Sequence, residues 1–487
     1  MNRWWSYLAV GVLLGGGLMV SIQYSPVWYD DSGHFLVARE VSRSHGMCYP
    51  VDSEGTTCIA DSPFITMGPV QTYPLGAWLG LFGETMLLGR VFMAALALLA
   101  CAGFYFLGRR LTNPGKALIA VGIMALNIQF LTYGAEVLGE VPMMGLVLAG
   151  LGLWLGWMRG GPWWHAAMGL VCWCLAVGVK EYAVLPTTLA LVFGVLHGLF
   201  PRDAALPPPV RSRALTVAGL GSYALGLLGM LALLHGWDLP GYFRSRQSYG
   251  SEFLALNLAV SLRFLAFKPL FWMGTGAMLL KWRVKRRMEE AMALSFQAAW
   301  LLFFLLSAGY DRFGFLLLFL PAIYVAEYVP FLWKQAGRKE KGAWLRRTVL
   351  VALAFVLFSQ QTWWVFAKRI RDPASVNAIE RKAAEQVSRW RPEVVVTADQ
   401  QVALFLEEVR QPYRLVHLVP SQARMQTEPH PECILREGEV FLAGPYAFTE
   451  YARLIDWQGL EALDSVAAGA EKWVTYRMNG CQPGAGE

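Results

Sequence analysis

Long apolar runs separated by short polar loops fill the first three quarters of the chain. Each run is about 20 residues long, which is the length an α-helix needs to cross the hydrocarbon core of a bilayer. The pattern therefore predicts about eleven transmembrane helices. Their approximate bounds are 5–22, 86–108, 115–132, 141–158, 163–179, 182–199, 214–234, 262–280, 290–308, 313–333 and 348–366.

Two apolar segments need a separate interpretation. The first run has a short basic start but no small-residue cleavage site before Gln23, so we interpret it as an uncleaved signal anchor rather than a cleaved signal peptide. The segment from Ile65 to Gly83 is rich in aromatic residues and Leu but is interrupted by Pro69 and Pro74. It is predicted to be an interfacial helix that lies on the membrane.

The end of the chain has a different pattern, because it is charged and punctuated by Pro. Residues 375–391 alternate as an amphipathic helix does, and 393–397 and 440–443 are short apolar runs typical of buried strands. This pattern predicts a small α/β domain. The predicted division is a transmembrane domain over 1–366, with a first outer loop at 23–85, and a soluble domain over 367–487.

Composition narrows the class of protein further. Of the 487 residues, 55% are hydrophobic and 16% are charged, and the mean hydropathy is +0.39. Soluble proteins carry about 25% charged residues. The composition therefore excludes a soluble enzyme, a disordered protein, a coiled coil and a collagen. The predicted fold class is an α-helical polytopic membrane protein with a small α/β domain at its C-terminus.

Basic residues are concentrated in one set of loops, and the opposite loops are poorer in Lys and Arg. Such a bias marks the cytoplasmic side, so the N-terminus is predicted inside and the tail from 367 outside a bacterial inner membrane. The net charge of +7 then reports orientation, and we expect no nucleic-acid partner. The basic loop residues are Arg3, Arg109, Arg110, Lys116, Arg159, Arg202, Arg211, Arg213, Lys281, Arg283, Lys285, Arg286, Arg287, Lys334, Arg338, Lys339, Lys341, Arg346 and Arg347.

Cysteines agree with this topology. Cys101, Cys172 and Cys174 lie inside predicted spans, where a thiol behaves as a small hydrophobic group. The other four lie in predicted outer segments, and an even number in an oxidising compartment suggests disulfides, although four free thiols are the alternative. The predicted pairs are Cys48 with Cys58 and Cys433 with Cys481.

An acidic pair follows the first span. Asp30 and Asp31 stand at the start of a predicted helix on which His34 shares a face with Asp30. One carboxylate can accept a proton from a hydroxyl while the other holds a metal or orients the acceptor. The alternative is a helix N-cap, since Asp is a preferred capping residue.

A second pair of carboxylates lies at the predicted outer boundary of the membrane. The four-residue spacing of Glu136 and Glu140 places both on one face if the segment is helical. Ionisable groups near a membrane are costly unless they are paired or functional. The alternative is that they cap the turn between two spans.

Two cations occupy comparable outer positions. Lys180 lies in the turn after the fifth span, and Arg312 precedes the tenth. Either can bind a phosphate, whereas the alternatives are a local ion pair or snorkelling of a long side chain. Apolar helices, outer cations and outer carboxylates together suit a lipid-phosphate donor and a hydroxyl acceptor.

The order of these features resembles a known family. The matching motifs are Asp30-Asp31, Thr66-Met67-Gly68-Pro69-Val70-Gln71-Thr72-Tyr73-Pro74-Leu75, Leu81-Phe82-Gly83, Arg90, Gly139-Glu140-Val141-Pro142, Val179-Lys180-Glu181 and Arg312-Phe313 before Pro321. They are similar to motifs of the GT-C superfamily of polytopic glycosyltransferases, in the branch near the bacterial protein O-mannosyltransferases and the aminoarabinose transferases of lipid A. The chain departs from that branch in its Asp-Asp pair, where many members have Asp-Glu.

The resemblance implies a reaction and roles for residues. A sugar would pass, with inversion, from a polyprenyl-phosphate carrier to a hydroxyl of a lipid, glycan or protein outside the cytoplasm. Asp30 or Asp31 would be the general base, and we favour Asp31. The remaining implied roles are acceptor or metal assistance by Glu140, Glu136 or His34, and donor phosphate binding by Lys180 and Arg312. No cofactor is required by this reading, and a divalent metal is compatible with it.

The alternative function is a transporter or flippase of polyprenyl lipids or glycolipids. Transporters more often place charges in the middle of broken spans. Here the notable charges lie at the predicted outer ends. A glycosyltransferase is therefore the preferred prediction.

Overall fold

The computed structural model divides into two compact units. The helical unit comprises Met1–Gln23, Met67–Gln71 and Arg90–Ile370, and the mixed unit comprises Tyr24–Thr66, Thr72–Gly89 and Arg371–Glu487. The structure describes residues 3–50, 52–53, 58–59, 67–199, 221–230, 232, 254–285, 287–306, 311–336, 362–415, 438–449, 457, 460–468 and 471–478.

The described elements are mostly helices. In chain order they are α1 (Arg3–Tyr24), α2 (Tyr29–Ser42), α3 (Pro69–Phe82), α4 (Met86–Leu111), α5 (Pro114–Ala125), α6 (Ile128–Ala135), α7 (Glu140–Met158), α8 (Trp163–Val179), α9 (Val184–Leu199), α10 (Leu254–Ala266), α11 (Pro269–Lys285), α12 (Met288–Leu306), α13 (Asp311–Gly314), α14 (Phe319–Ala336), α15 (Thr362–Arg371), α16 (Ala378–Arg389), α17 (Gln400–Glu408) and α18 (Pro445–Thr449). The strands are β1 (Tyr49–Pro50), β2 (Cys58–Ile59), β3 (Val394–Thr397), β4 (Tyr413–Leu415), β5 (Glu439–Ala443), β6 (Leu460–Ala468) and β7 (Glu471–Met478).

Several helices can cross a membrane. Among the described residues, four helices are long and apolar enough, namely α1, α4, α7 and most of α12, and the bent pair of α5 and α6 can provide a fifth. These apolar helices make the chain a multi-pass membrane protein. The number eleven stays a prediction, because 348–361 and part of 214–234 lie outside the described residues.

Two predicted spans are broken, which corrects their expected continuity. The span at 115–132 is two helices that meet at 74°, because the Asn127 side chain accepts from the backbone N–H groups of Gln129 and Phe130 at 3.0 and 3.3 Å and starts α6. The span at 262–280 contains the break between α10 and α11. Pro269 stands at the first position of α11, where a missing N–H costs nothing.

Close packing of small residues aligns the helices around α7. A Cβ on Gly145 would lie 2.5 Å from the Cα atom of Ala100, so α4 and α7 approach backbone to backbone there. On another side of α7, the Trp173 indole of α8 donates to the carbonyl of Val147 at 3.1 Å. Because α7 and α8 form a packed hairpin, the start of α7 and the end of α8 meet at the same end of the unit.

The mixed unit is built on a five-stranded sheet with the order β4-β3-β5-β7-β6. β3 pairs in parallel with β4 and β5, whereas β7 pairs antiparallel with β5 and β6. The apolar strands predicted at 393–397 and 440–443 are confirmed as β3 and β5, and the helix predicted at 375–391 is confirmed as α16. The same compact unit also contains 24–66 and 72–89, so the sheet does not form a unit by itself.

Helix α2 is fixed within the mixed unit by polar contacts. Arg39 donates twice to the Glu407 carboxylate of α17, at 2.8 and 2.7 Å, and once to the Tyr413 hydroxyl of β4 at 3.3 Å. Asn377 accepts from the backbone N–H of Val27 at 2.9 Å, just before α2. The segment that carries the acidic pair is therefore held by the C-terminal part of the chain.

One predicted disulfide lies among the described residues. Cys48 and Cys58 are joined, with Cα atoms 5.5 Å apart, and they tie β1 to β2. Cys101, Cys172 and Cys174 are free thiols within helices. The predicted pair of Cys433 and Cys481 lies outside the described residues.

Candidate active site

Three of the predicted site residues meet at one end of the helical unit. Glu140 is the first residue of α7, Lys180 directly follows α8, and Arg312 lies in α13. The Lys180 Nζ atom lies 3.8 Å from the Glu140 Oε1 atom, and the Arg312 Nε atom lies 3.7 Å from that same oxygen. We call these three residues the Glu140 cluster.

The backbone before α7 makes this approach possible. Gly139 has φ +87, a left-handed conformation that glycine adopts without steric cost. A Cβ at this position would also lie 2.8 Å from the Gln71 Oε1 atom and 3.1 Å from the Lys180 Cε atom. Glycine therefore serves two purposes, a sharp entry into α7 and room for the side chains of Gln71 and Lys180.

The Glu140 cluster is largely shielded from solvent. Glu140 is 1% exposed and Lys180 4%, while Arg312 is 20% exposed. Two cations share one carboxylate oxygen in a region that is largely shielded from solvent. Contacts of 3.7 and 3.8 Å are ion pairs and are too long for hydrogen bonds. The arrangement is suited to bind an anion beside Glu140.

An aromatic wall lies next to the cluster. Arg312 packs over the ring of Phe313, with its Cζ atom 5.2 Å from the ring centroid. Tyr182 stacks on Phe303 at 4.9 Å and meets Phe313 edge-on at 5.3 Å. These rings give the cations an apolar neighbour, which is the combination that an amphiphilic phosphate ester needs.

Glu136 does not share a helical face with Glu140, which corrects that prediction. Helix α6 ends at Ala135, and Glu136 has φ −74 and ψ 150, an extended conformation. The four residues from 136 to 139 are therefore a turn between two helices, as the alternative interpretation held. Glu136 is completely buried.

Sequence reasoning missed a cation that interacts with Glu136. Burial lowers the pKa of the Arg369 guanidinium in α15, the Glu136 carboxylate opposes that shift, and Arg90 adds to it. Eight of the described helices, α7 to α14, lie between Glu136 and Arg369 in the chain, so no local pattern links them. In the sequence, the feature that points to Arg369 is its position just after a predicted span, on the side predicted to be poor in Lys and Arg.

A second missed cation is Lys268, which stands between α10 and α11. Its ammonium donates to the Gln129 Oε1 atom at 3.1 Å and lies 4.5 Å from the centroid of the Phe264 ring. Phe264 also packs against Gly314, two residues after Arg312. The sequence feature that points to Lys268 is the Lys-Pro step inside the apolar run at 262–280, where a continuous helix is predicted.

The acidic pair belongs to the mixed unit. Trp28 occupies the N-cap position of α2, without a side-chain hydrogen bond, so Asp30 and Asp31 lie in the first turn and the N-cap interpretation is wrong. Carboxylates in a first turn are favoured by the helix dipole. Asp31 is 0% exposed and His34 2%, whereas Asp30 is partly exposed.

The first turn of α2 is packed against α17. The Gln400 amide donates to the carbonyl of Tyr29 at 2.7 Å, and the Tyr49 hydroxyl donates to the amide oxygen of Gln400. A Cβ on Gly33 would lie 2.7 Å from that amide. Gly33 thus allows Gln400 to reach the backbone beside the acidic pair and to fix its orientation.

The structure therefore brings together Glu140, Lys180 and Arg312 in the helical unit. It places Asp30, Asp31 and His34 on one helix of the mixed unit. Within the part of the chain that the structure describes, no three or more His, Cys, Asp or Glu side chains are grouped so that they could hold a metal ion.

Comparison of the fold with solved structures gives near full-length similarity. ArnT from Cupriavidus metallidurans bound to undecaprenyl phosphate matches with a TM-score of 0.61 and 15% identity, over 98% of this chain and 98% of that chain. The apo state of the same protein matches with a TM-score of 0.56, 16% identity and coverage of 97% and 98%. The archaeal oligosaccharyltransferase AglB from Archaeoglobus fulgidus, in complex with an inhibitory peptide and a dolichol-phosphate, matches with a TM-score of 0.57 and 12% identity, over 96% of this chain and 74% of that chain.

The sequence by itself has no such match. No protein-family model and no curated protein matches it. The similarity is therefore one of fold: the chain has the fold of ArnT and of the archaeal oligosaccharyltransferase AglB.

Proposed function

We propose that the protein is a membrane glycosyltransferase that moves a sugar from a polyprenyl-phosphate donor to a hydroxyl acceptor on the extracytoplasmic side. The observation that carries this proposal is the Glu140 cluster, in which two shielded cations share one carboxylate beside an aromatic wall. Its occurrence in a chain with the fold of ArnT supports a lipid phosphate as the ligand, because the ArnT structure was obtained with undecaprenyl phosphate.

Lys180 and Arg312 bind the donor phosphate in this proposal. Their positive charges stabilise the negative charge that grows on the phosphate as the sugar departs. The apolar wall of Phe303 and Phe313 accommodates the first carbon atoms of the polyprenyl chain. Glu140 keeps the two cations apart in the absence of donor and orients the acceptor once the phosphate has taken its place.

Asp31 acts as the general base, and Asp30 is the reserve. The acceptor oxygen attacks the anomeric carbon from the face opposite the phosphate, so configuration is inverted. A new C–O bond forms, the bond from the anomeric carbon to the phosphate oxygen breaks, and the hydroxyl proton moves to the Asp31 carboxylate. General-base catalysis contributes about 10²–10⁴-fold to such a step. His34 lies one turn further along α2 and assists the acceptor side.

The basic loops indicate which side of the membrane the Glu140 cluster faces. The Arg159 end of α7 is cytoplasmic if the positive-inside rule holds, and the Glu140 end then faces the extracytoplasmic side. By the same rule the segment that follows the first span, which carries the acidic pair, is extracytoplasmic. This location agrees with a Cys48–Cys58 disulfide, which persists in an oxidising compartment.

The test is sugar transfer by the purified full-length protein in nanodiscs. A panel of polyprenyl-phosphate sugars is supplied with lipid, glycan and peptide acceptors, and released polyprenyl phosphate is measured. We expect Asp31→Asn to lower the rate constant by about 10²-fold or more, and Lys180→Gln or Arg312→Gln to lower it by about 10²–10³-fold.

Matched controls are Asp464→Asn, a carboxylate in β6, and Arg283→Gln, an exposed cation in α11, both with expected wild-type rates. Release that persists in Asp31→Asn and Asp30→Asn would contradict the assigned base. If no donor is consumed while labelled polyprenyl lipid crosses proteoliposome membranes, the transferase proposal fails in favour of a flippase.

A further inference from the structure

A polar cavity lies at the Arg159 end of α7, opposite the Glu140 cluster. Its volume is about 460 Å³, and the ends of α4, α7 and α11 and the starts of α5 and α12 surround it. The 19 residues of α7 separate this cavity from the Glu140 cluster by about 28 Å, at 1.5 Å per residue. The cavity is therefore a separate site that the proposed transfer reaction does not use.

Charge in this cavity is unbalanced. Six cations and three carboxylates line it, so three positive charges are in excess. The lining residues are Arg110, Leu111, Thr112, Lys116, Arg159, Lys281, Lys285, Arg287, Glu289, Glu290 and Glu327.

The three carboxylates are already engaged by three of the cations. Lys281 is 3% exposed and lies 2.6 Å from Glu327 and 3.3 Å from Glu290. Arg159 lies 2.7 Å from Glu289, and Lys116 lies 3.6 Å from Glu327. The floor of the cavity is thus a network of ion pairs.

The excess charge belongs to the other three cations. Among the described residues, Arg110, Lys285 and Arg287 have no carboxylate within ion-pair distance. Lys285 and Arg287 are exposed and Arg110 is half-buried, so all three are accessible at the rim. Their like charges repel one another unless an anion lies between them.

We propose that this cavity binds a phosphate group, and that the source is the headgroup of an anionic lipid. Phosphate is the ligand that several convergent Arg and Lys side chains recognise best. A basic pocket between transmembrane helices, at the end predicted to be cytoplasmic, is where such headgroups bind.

The surface beside the cavity favours a lipid over a free ion. Leu280 and Val284 of α11 are 55% and 75% exposed, one turn apart on one face of the helix. Trp282 on the same helix is 43% exposed, as suits an indole at the membrane–water boundary. An acyl chain can lie on Leu280 and Val284 while its phosphate enters the cavity beside Lys285.

The test uses the full-length protein in phosphatidylcholine nanodiscs. Binding of short-chain phosphatidylglycerol, short-chain phosphatidylcholine and inorganic phosphate is measured by titration at fixed ionic strength. We expect phosphatidylglycerol to bind at least tenfold more tightly than phosphatidylcholine. Each cation near the surface contributes about fivefold, so Lys285→Gln with Arg287→Gln lowers the affinity about 25-fold.

Matched controls are Arg283→Gln, two residues before Lys285 on the same exposed helix end, and Arg109→Gln, beside Arg110. Neither residue lines the cavity, so both variants should bind as the wild type does. If inorganic phosphate binds as tightly as phosphatidylglycerol with the same losses, the site is a phosphate site and the lipid source is refuted. The whole proposal is refuted if the two lipids bind equally, or if Arg283→Gln and Arg109→Gln weaken binding as much as the cavity variants.

Discussion

The ion pairs at the two ends of α7 use the same residue types in opposite ratios of cations to carboxylates. At the Glu140 end, two cations share a single carboxylate oxygen at 3.7 and 3.8 Å. At the Arg159 end, one buried cation, Lys281, is shared by two carboxylates at 2.6 and 3.3 Å. The first arrangement pairs two cations with one carboxylate, whereas the second pairs one cation with two carboxylates, of which Glu327 also lies 3.6 Å from Lys116.

Under the two proposals above, this difference separates a binding site from a structural one. Buried ions that are tightly paired hold helices together, and they are costly to disrupt. A longer ion pair is easier to break, so an incoming phosphate can displace the carboxylate more easily at the Glu140 cluster than at Lys281. Lys180 and Lys281 are equally buried, so burial alone does not distinguish their roles. The number of carboxylates near each lysine and their distances do.

The largest effect on stability is expected at Lys281. Lys281→Met leaves Glu290 and Glu327 buried without their shared cation, and breaking a buried pair in this way costs about 3–5 kcal/mol. We expect a clear decrease in the thermal unfolding midpoint of the purified protein. The control is Arg283→Met on the same helix, whose side chain is exposed and whose midpoint should not change. An unchanged midpoint in Lys281→Met would mean that the two ends of α7 do not differ in the way described.

A smaller loss of thermal stability, which a ligand can reverse, is expected when Glu140 is changed. Glu140→Gln removes the carboxylate that Lys180 and Arg312 share, and because these contacts of 3.8 and 3.7 Å are longer than the 2.6 Å contact of Lys281 with Glu327, we expect a smaller loss of stability than in Lys281→Met. The same variant should gain more thermal stability from added polyprenyl phosphate than the wild type does, because the ligand no longer competes with a carboxylate. Glu136→Gln, four residues earlier in the turn before α7, should show no such gain. If polyprenyl phosphate stabilises Glu140→Gln no more than the wild type, the cluster is not a phosphate site.

The smallest effect is expected for an ion pair that is open to water. In the mixed unit, Glu84 accepts from Ser42 at 2.7 Å and from Arg43 at 3.0 Å. Burial would raise the pKa of Glu84, but these partners outweigh it, and the pKa lies below its ordinary value.

A lowered pKa in the folded state gives stability that is present above the ordinary pKa of a glutamate and is lost as the pH falls through the lowered value. Glu84→Gln should therefore destabilise the protein by about 1 kcal/mol or less at pH 7. We expect the difference from the wild type to disappear at acidic pH, as measured by thermal unfolding. A difference that widened on acidification would contradict the sign of the pKa shift.

Much of the helical unit was predictable from the sequence, because a bilayer imposes length and polarity on each helix. The span predicted at 163–179 has the same bounds as α8. The common sidedness of Glu140, Lys180 and Arg312 followed from counting spans, and the structure brings these three together. Strands β3 and β5 were predictable because short apolar runs between polar residues have few other interpretations.

The breaks and long-range partners were not predictable. The bend at Asn127 depends on a side chain that caps α6, and an Asn within an apolar run does not by itself indicate a cap. The interaction of Arg369 with Glu136 and the pairing of Arg39 with Glu407 depend on tertiary packing between distant segments. The four-residue spacing also predicted Glu136 on the same helical face as Glu140. Spacing alone does not reveal that Gly139 adopts a left-handed conformation and interrupts the helix there.

The length of α7 has a mechanical consequence for the membrane around it. Its two ends are anchored by charges, Glu140 at one and Arg159 at the other, and nearly all of the residues between them are buried against neighbouring helices. About 28 Å of rigid rod is thus fixed between two polar layers, close to the hydrocarbon thickness of about 30 Å in an ordinary bilayer. A helix locked in this way cannot tilt alone to match a thicker or thinner membrane, so the lipids must deform instead.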